Sequence, residues 1–513
     1  MSRLKFAAAL LAMCCAQPAA AEWFEATSKH FIVYANGTAE SVRKRAERLE
    51  QFDSLVRYYQ SIPSQEGDGS NKVTVYVVAN DAAVRRLFGA GGKNIAGFYQ
   101  GRASGSVAFT PAQGGEPGDI NALQPQIVLF HEYTHHLMLG NISVALPAWY
   151  AEGYPEFLST ARFEKDFVWL GAPAQHRAYD LLLGTELTAE QLFSLDMSKK
   201  MRDAKVAALY ARGWLLTHYL MIDPKRSAQL NSYLLAINDG KPGVEAARAA
   251  FGDLDALNRA LSSYLHKSTM SAYKIPLTRL TTPVVAIRPL SAGEREMITL
   301  RMRSDRGVNR ETAQPILAEA LPIADRYPRD AMVQGWFAEM ALDAGRNDLA
   351  DAAADRALAI DPKSSQALVY KAQVHLRRAR DAKVTDPLVW REARGWLLRA
   401  NKLDTNDAYA LMLFYSSFGM AGTPATDNAK AALRRAHELV PQDEGLAYAY
   451  ATQMLIDDKR DEARAALRPL AYSAHSNPDN AAAKLIAALA TGKTGPQALA
   501  SLGGDADKVT IED

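Results

Sequence analysis

The sequence predicts two architectures in one chain: an α+β domain with a small mixed sheet and several helices, followed by an all-α solenoid of stacked helical hairpins. Three observations point there. Short β-branched runs and one long amphipathic pattern alternate near the start. Helical periodicity takes over from about Gln126. Beyond residue 305 the chain becomes Ala- and Leu-rich, and a unit ending in a polar turn recurs. A length of 513 residues suits two or three domains. Hydrophobic residues at 48% and charged residues at 23% are the balance of a folded protein, not a disordered one. Lys+Arg number 59 and Asp+Glu 57, so a strongly basic nucleic-acid binder is excluded. No stretch reaches the roughly 18–20 apolar residues a membrane-spanning helix needs. The 2 cysteines exclude a disulfide scaffold and a cysteine-based zinc finger.

Residues 1–21 read as a cleaved signal peptide. Arg3 and Lys5 precede an apolar run over residues 6–15, Gln17-Pro18 breaks it, and Ala19-Ala20-Ala21 suits signal-peptidase cleavage before Glu22. Met13 and Cys14 are not the small residues that lipidation of Cys14 or Cys15 requires. Cleavage leaves 57 basic and 57 acidic residues and no cysteine, which suits export to a bacterial periplasm or beyond.

The first domain, residues 22–275, opens with a strand over residues 30–34 and a turn at Asn36-Gly37. A helix follows, its apolar stripe formed by Val42, Ala46, Leu49, Phe52, Val56 and Tyr59. Residues 72–78 (KVTVYVV) read as a buried strand and residues 103–110 (ASGSVAFT) as another, exposed on one side. Gly89, Gly91 and Gly92 match neither the P-loop nor the dinucleotide fingerprint and read as a loop. From 126 to 270 the pattern is helical throughout. Residues 276–304 read as a linker with one strand, 305–495 as the repeats and 496–513 as a tail. Unit ends fall at Pro362, near Thr405, at Pro441 and at Pro478, in steps of 43, 36 and 37 residues. These approach the period of about 34 of tetratricopeptide repeats, with an insertion over residues 382–387. Gly345 is expected at an inter-helix turn, and Ala350 and Ala357 at tight packing positions.

One constellation carries chemistry: His131-Glu132-Tyr133-Thr134-His135. Pro125 suits the first turn of its helix and Gly140 a C-terminal cap. Positions i and i+4 share a helix face, so His131 and His135 can hold one Zn²⁺. Glu132, beside them, is placed to take a proton from water rather than to bind metal. A catalytic zinc site wants a third protein ligand, and Glu152 in Trp149-Tyr150-Ala151-Glu152-Gly153 supplies it 17 residues past His135. His136 lies about 100° round the helix from His135 and reads as structural, as does His218.

HExxH followed by W-x-x-E-G resembles the gluzincin zinc peptidases. Residues 22–270 look like their peptidase-MA-like group, for which repeat tails are common companions. The resemblance implies Zn²⁺ held by His131, His135 and Glu152, with Glu132 as general base and acid. It implies Glu156 as a carboxylate behind His131, although Pro155 removes a backbone hydrogen bond to Ala151 just before it. It implies Tyr210 as the hydroxyl that stabilises the oxyanion. It implies substrate backbone added as a strand along Ser106, Val107 and Ala108. The reading that follows is an exported zinc-dependent endopeptidase acting on envelope proteins or peptides, its repeats docking protein partners. Two other classes stay open: a repeat-based periplasmic scaffold whose peptidase-like domain is inactive or structural, and a zinc amidase acting on non-peptide amide bonds.

Overall fold

A computed structural model describes residues 22–502 apart from 64–66, 68, 90–91, 93–94, 114–123, 142–145, 196–200 and 472–479. The expected signal peptide, Gly91, Pro478 and residues 503–513 of the expected tail lie outside the described residues.

Strands β1 (Glu22–Thr27) and β2 (Phe31–Gly37) pair antiparallel. Thr38 and Ser41 form a capping box that starts α1 (Ala39–Gln60). The predicted stripe of α1 packs inward, with Val42, Ala46, Leu49, Phe52 and Val56 buried. The helix is the crossover that lets β3 (Val73–Asn80) lie parallel to β2. After α2 (Asp81–Phe88) come β4 (Phe98–Gln100) and β5 (Val107–Gln113). Strand β5 is parallel to β3 and β4 antiparallel to β5.

Helix α3 (Pro125–Asn141) carries the HExxH, and α4 (Ala148–Ser159) carries Glu152. A β6 (Arg162–Phe163) and β7 (Phe167–Leu170) hairpin then leads to α5 (Ala178–Leu182) and α6 (Ala189–Phe193). Helix α7 (Asp203–Met221) returns to pack against α4, and α8 (Pro224–Asn238), α9 (Gly243–Phe251) and α10 (Leu254–Leu265) complete the helical side. Strand β8 (Tyr273–Pro276) joins β7, and β9 (Ala286–Pro289) joins β1. The main sheet therefore runs β4-β5-β3-β2-β1-β9.

The repeats are α11 (Ala292–Asp305), α12 (Arg310–Arg326), α13 (Ala331–Asp343), α14 (Asn347–Ile360), α15 (Ser365–Asp381), α16 (Pro387–Leu403), α17 (Ala408–Met420), α18 (Asp427–Leu439), α19 (Glu444–Ile456), α20 (Arg460–Ala471), α21 (Ala481–Ala490) and α22 (Gly495–Ala500). Each hairpin packs on the next. The unit ends read from Pro362, Thr405 and Pro441 fall between hairpins, after α14, α16 and α18. Gly345 turns between α13 and α14 with φ +72°, where a side chain is strained. Ala350 and Ala357 are fully buried.

Five expectations are corrected. Segment 276–304 is no free linker: β9 extends the first domain's sheet, and the first solenoid helix begins at Ala292. Strand 103–110 is β5 at Val107–Gln113, because residues 101–106 form the turn of the β4–β5 hairpin. The helical stretch is interrupted by β6 and β7, too short for periodicity to register. Gly140 lies inside α3 rather than capping it. The expected tail begins inside α22.

The two architectures share a core. Tyr34, Tyr76 and Phe109 on one sheet face pack with Met297, Trp336 and Phe337 of the solenoid. The other face packs on α1, α3 and the helices behind them. A second contact runs through Asn71, which donates to the Asn406 carbonyl at 2.9 Å and accepts from the Ala408 amide at 3.1 Å.

Candidate metal centre

Helix α3 is set by its apolar flanks. Phe130 stacks on Phe52 of α1 with ring centroids 3.8 Å apart. Tyr133, inside the motif but about 200° from His131, donates its hydroxyl to Asp53 at 2.7 Å. These anchors turn His131 and His135 toward α4. Helix α4 is held in turn by a glycine pair. A methyl group at Gly153 would overlap the backbone of Gly213, so only glycine lets α4 and α7 approach this closely. That approach brings Glu152 and Tyr210 to one place.

The three expected ligands converge. His131 Nε2 and His135 Nε2 are 3.1 Å apart, and Glu152 Oε2 lies 3.4 Å from the first and 3.5 Å from the second. Glu152 is 1% exposed and His131 8%. The three residues bring one ligand-type atom each within 4.8 Å of one another. Burial disfavours charge on His131, yet hydrogen bonds with Glu152 and Glu156 outweigh it and push the imidazole up to about 10. Burial raises the Glu132 carboxyl, while the two histidines oppose that rise.

Behind the triad, Glu156 Oε1 lies 3.4 Å from His131 Nδ1. Proline at 155 leaves the helix continuous through Ser159. Sequence reading missed what holds Glu156. Arg177 donates to Oε1 at 2.6 Å and to Oε2 at 3.1 Å, and His176 Nε2 lies 2.9 Å from Oε2. Burial opposes the ionised form, but Arg177 and the hydrogen bonds hold this carboxyl well below the usual range. Residues 176 and 177 are brought back by the β6–β7 hairpin, and no motif spacing marks them. The Arg177 guanidinium also lies 5.1 Å from the Tyr210 ring centroid. Tyr210 lies beside His131, with centroids 5.7 Å apart. Burial first, then the Glu152 and Glu132 charges, raise its hydroxyl well above the usual value, so it remains a donor at neutral pH.

Glu132, His131, Glu156, Arg177 and Tyr210 line a cavity of about 610 Å³ whose other walls include Ile95, Gly97, Val128 and Val206. Ser106, Val107 and Ala108 do not offer a free strand edge, which corrects the expected substrate strand. Val107 pairs with Thr74 on one side and Gln100 on the other, and Ala108 with Val75 and Tyr99. Ser106 turns its Oγ to the Tyr99 hydroxyl and the Arg102 amide. Among the described residues β4 is the edge strand on the cavity side of the sheet, with Ile95 and Gly97 in the cavity wall just before it. His136 and His218 stay structural. The first faces the Tyr99 hydroxyl at 2.6 Å, pushed down to about 3 by burial and by Arg57. The second bridges the Gly171 carbonyl and the Tyr264 hydroxyl.

No family model matches the chain, and no curated protein matches it. Among solved structures, the thermophilic TPR protein TTC0263 of Thermus thermophilus aligns over 37% of this chain and 94% of its own at 17% identity and a TM-score of 0.31. MamA aligns over 36% and 99% at 16% identity and a TM-score of 0.28. No described helix is long and apolar enough to cross a membrane.

Proposed function

We propose that the chain is an exported zinc-dependent peptide hydrolase, an endopeptidase acting in the bacterial periplasm on envelope proteins or peptides. The observation that carries this reading is the triangle of His131, His135 and Glu152 ligand atoms, with edges of 3.1, 3.4 and 3.5 Å. Ligands at about 2.0–2.1 Å from a tetrahedral zinc ion stand about 3.3–3.4 Å apart, so the donor set fits. Zinc held there would supply Lewis acidity for the scissile carbonyl and for water. Glu132 takes the proton from the attacking water and passes it to the leaving amine. The Tyr210 hydroxyl donates to the developing oxyanion, and Glu156 orients His131 from behind. Substrate backbone lies along the β4 edge and Ile95–Gly97, in place of Ser106–Ala108.

Metal content of the chain from Glu22 onward tests the reading. About one zinc per chain is expected, and its absence after reconstitution would overturn the proposal. Glu132→Gln should keep the metal and lose roughly 10²–10⁴-fold in hydrolysis. Tyr210→Phe should lose roughly 10²–10³-fold in kcat with metal content unchanged.

The repeats favour a second reading. Helical hairpins from Ala292 to Ala500 form a solenoid of the kind that presents extended surfaces to protein partners, so the chain acts as a periplasmic scaffold. Partner capture by a Glu132→Gln chain as efficient as by wild type, with rescue of a loss phenotype, would favour this reading over hydrolysis.

A further inference from the structure

The β4–β5 hairpin reaches from the cavity to the repeats, and its tip is built into the solenoid. At the cavity end Gly97 lies against Val128 and the Phe109 carbonyl. In the middle, the Tyr99 hydroxyl meets His136 Nδ1 at 2.6 Å and Ser106 Oγ at 3.1 Å. At the tip, the Ala103 amide donates to Asp443 Oδ2 at 2.7 Å. The Ala103 side chain is buried with Ala408, Val440 and Leu446 of the repeats. A side chain on Gly101 would stand 2.8 Å from Gln442 Cγ and 3.2 Å from its carbonyl. Asp443 cannot swing freely, because its Oδ1 caps α19 through the Leu446 amide at 2.8 Å.

The hairpin is weak on its own. Only three residue pairs join β4 to β5, from Phe98↔Phe109 to Gln100↔Val107. A ladder that short does not hold the direction of its own tip. The solenoid adds constraint at two points: the loop at residues 440–443, and the Asp305 carbonyl at the end of α11, which accepts from Arg102. Tyr99 lies within the constrained segment and touches His136, the residue next to the expected ligand His135.

We propose that Asp443 is a positioning residue for the metal-site helix: the solenoid loop holds the hairpin tip, and the hairpin adds to the Phe130 and Tyr133 anchors of α3 a third, through Tyr99 and His136. The repeats are then a structural part of the centre as well as a surface beside it. This goes beyond the functional reading above and does not depend on hydrolysis.

The test uses the full chain with amide exchange and histidine-selective ¹³C NMR. Asp443→Ala should speed exchange of amides 101–106 about tenfold or more and shift the His136 ring resonance. Asp443→Asn leaves one acceptor oxygen and turns the other into a donor, so it keeps either the Ala103 bond or the α19 cap and should change both signals in the same sense but less. Thr426→Ala removes a cap from neighbouring α18 without touching the hairpin and should leave both unchanged. Tyr99→Phe should shift His136, and adding it to Asp443→Ala should give no further shift. Faster exchange in 101–106 with His136 unmoved would overturn the proposal, as would an equal response to Thr426→Ala. Should Asp443→Ala fail to fold, the Asn and Tyr99→Phe variants decide: an unmoved His136 in Tyr99→Phe overturns the route.

Discussion

Two clusters of histidine and carboxylate flank helix α3. One is His131, His135 and Glu152; the other is His30, Glu50 and Asp53. Each brings three ligand-type atoms within 4.8 Å of one another. Their surroundings differ. In the second, Asp53 accepts from Arg57 at 2.9 Å and from the Tyr133 hydroxyl at 2.7 Å, and Glu50 accepts from both the amide and the ring of His30 at 2.8 Å. A guanidinium already balances that cluster, and the donors fix its geometry. In the first, two imidazole Nε2 atoms and a carboxylate oxygen face one another, and the nearby guanidinium of Arg177 is spent on Glu156 behind them. The same residue types thus make an anchor on one side of α3 and a converging donor set on the other. Whether a cation is built in decides which.

The largest expected effect separates the clusters outright. His131→Ala and Glu152→Ala should abolish stoichiometric zinc, whereas His30→Ala should leave it, as measured by elemental analysis of purified protein. Zinc lost equally from the His30 variant would erase the distinction.

Stability should show the reverse order. Asp53→Ala removes the acceptor shared by Arg57 and Tyr133 in a buried site, at a cost of about 3–5 kcal/mol by chemical denaturation. A loss below about 1 kcal/mol would mean that the network is not an anchor.

The carboxylate behind the donor set sharpens the comparison. Glu156→Gln should weaken zinc binding by roughly 10–100-fold in chelator competition without abolishing it. Because Arg177 holds Glu156 below the usual carboxylate range, its contribution to stability is complete above about pH 4.3. It fades as pH falls through the lower folded value, so the Gln variant should lose part of the acid limb of the stability profile.

The smallest effect lies at the seam between the architectures. Asp343, close to Glu339 and Arg301, is pushed up to about 7 by burial and by the Glu339 charge. Its proton is held more tightly in the folded chain, so its contribution is present at low pH and is lost as pH rises through about 7. Asp343→Asn should flatten that loss, visible as a higher melting temperature at pH 8 but not at pH 4.

Much of the fold was legible because periodicity registers local geometry. The α1 stripe, the strand at residues 72–78, the HExxH helix beginning at Pro125 and the hairpin boundaries all follow from spacing within one element. The β6–β7 hairpin was not legible, since two to four residues carry no period; the strand expected within 276–304 is β9, but its pairing with β1 was not legible, since the partners are distant in sequence. Ser106, Val107 and Ala108 have the composition of a strand edge, but whether a strand is an edge depends on its neighbours. Here β4 and β3 take both sides of Val107 and Ala108.

The sequence alone determined which side chains can meet within one helix. His131 and His135 share a face whatever surrounds them, because helical geometry places i and i+4 together. Only the tertiary structure decided that Glu152 closes the triangle, because that depends on the Gly153–Gly213 approach of α4 and α7. It also decided that Arg177 stands behind Glu156 and that Asp443 reaches Ala103 across 340 residues. Contacts between elements depend on how whole helices and strands pack, and no residue spacing encodes that.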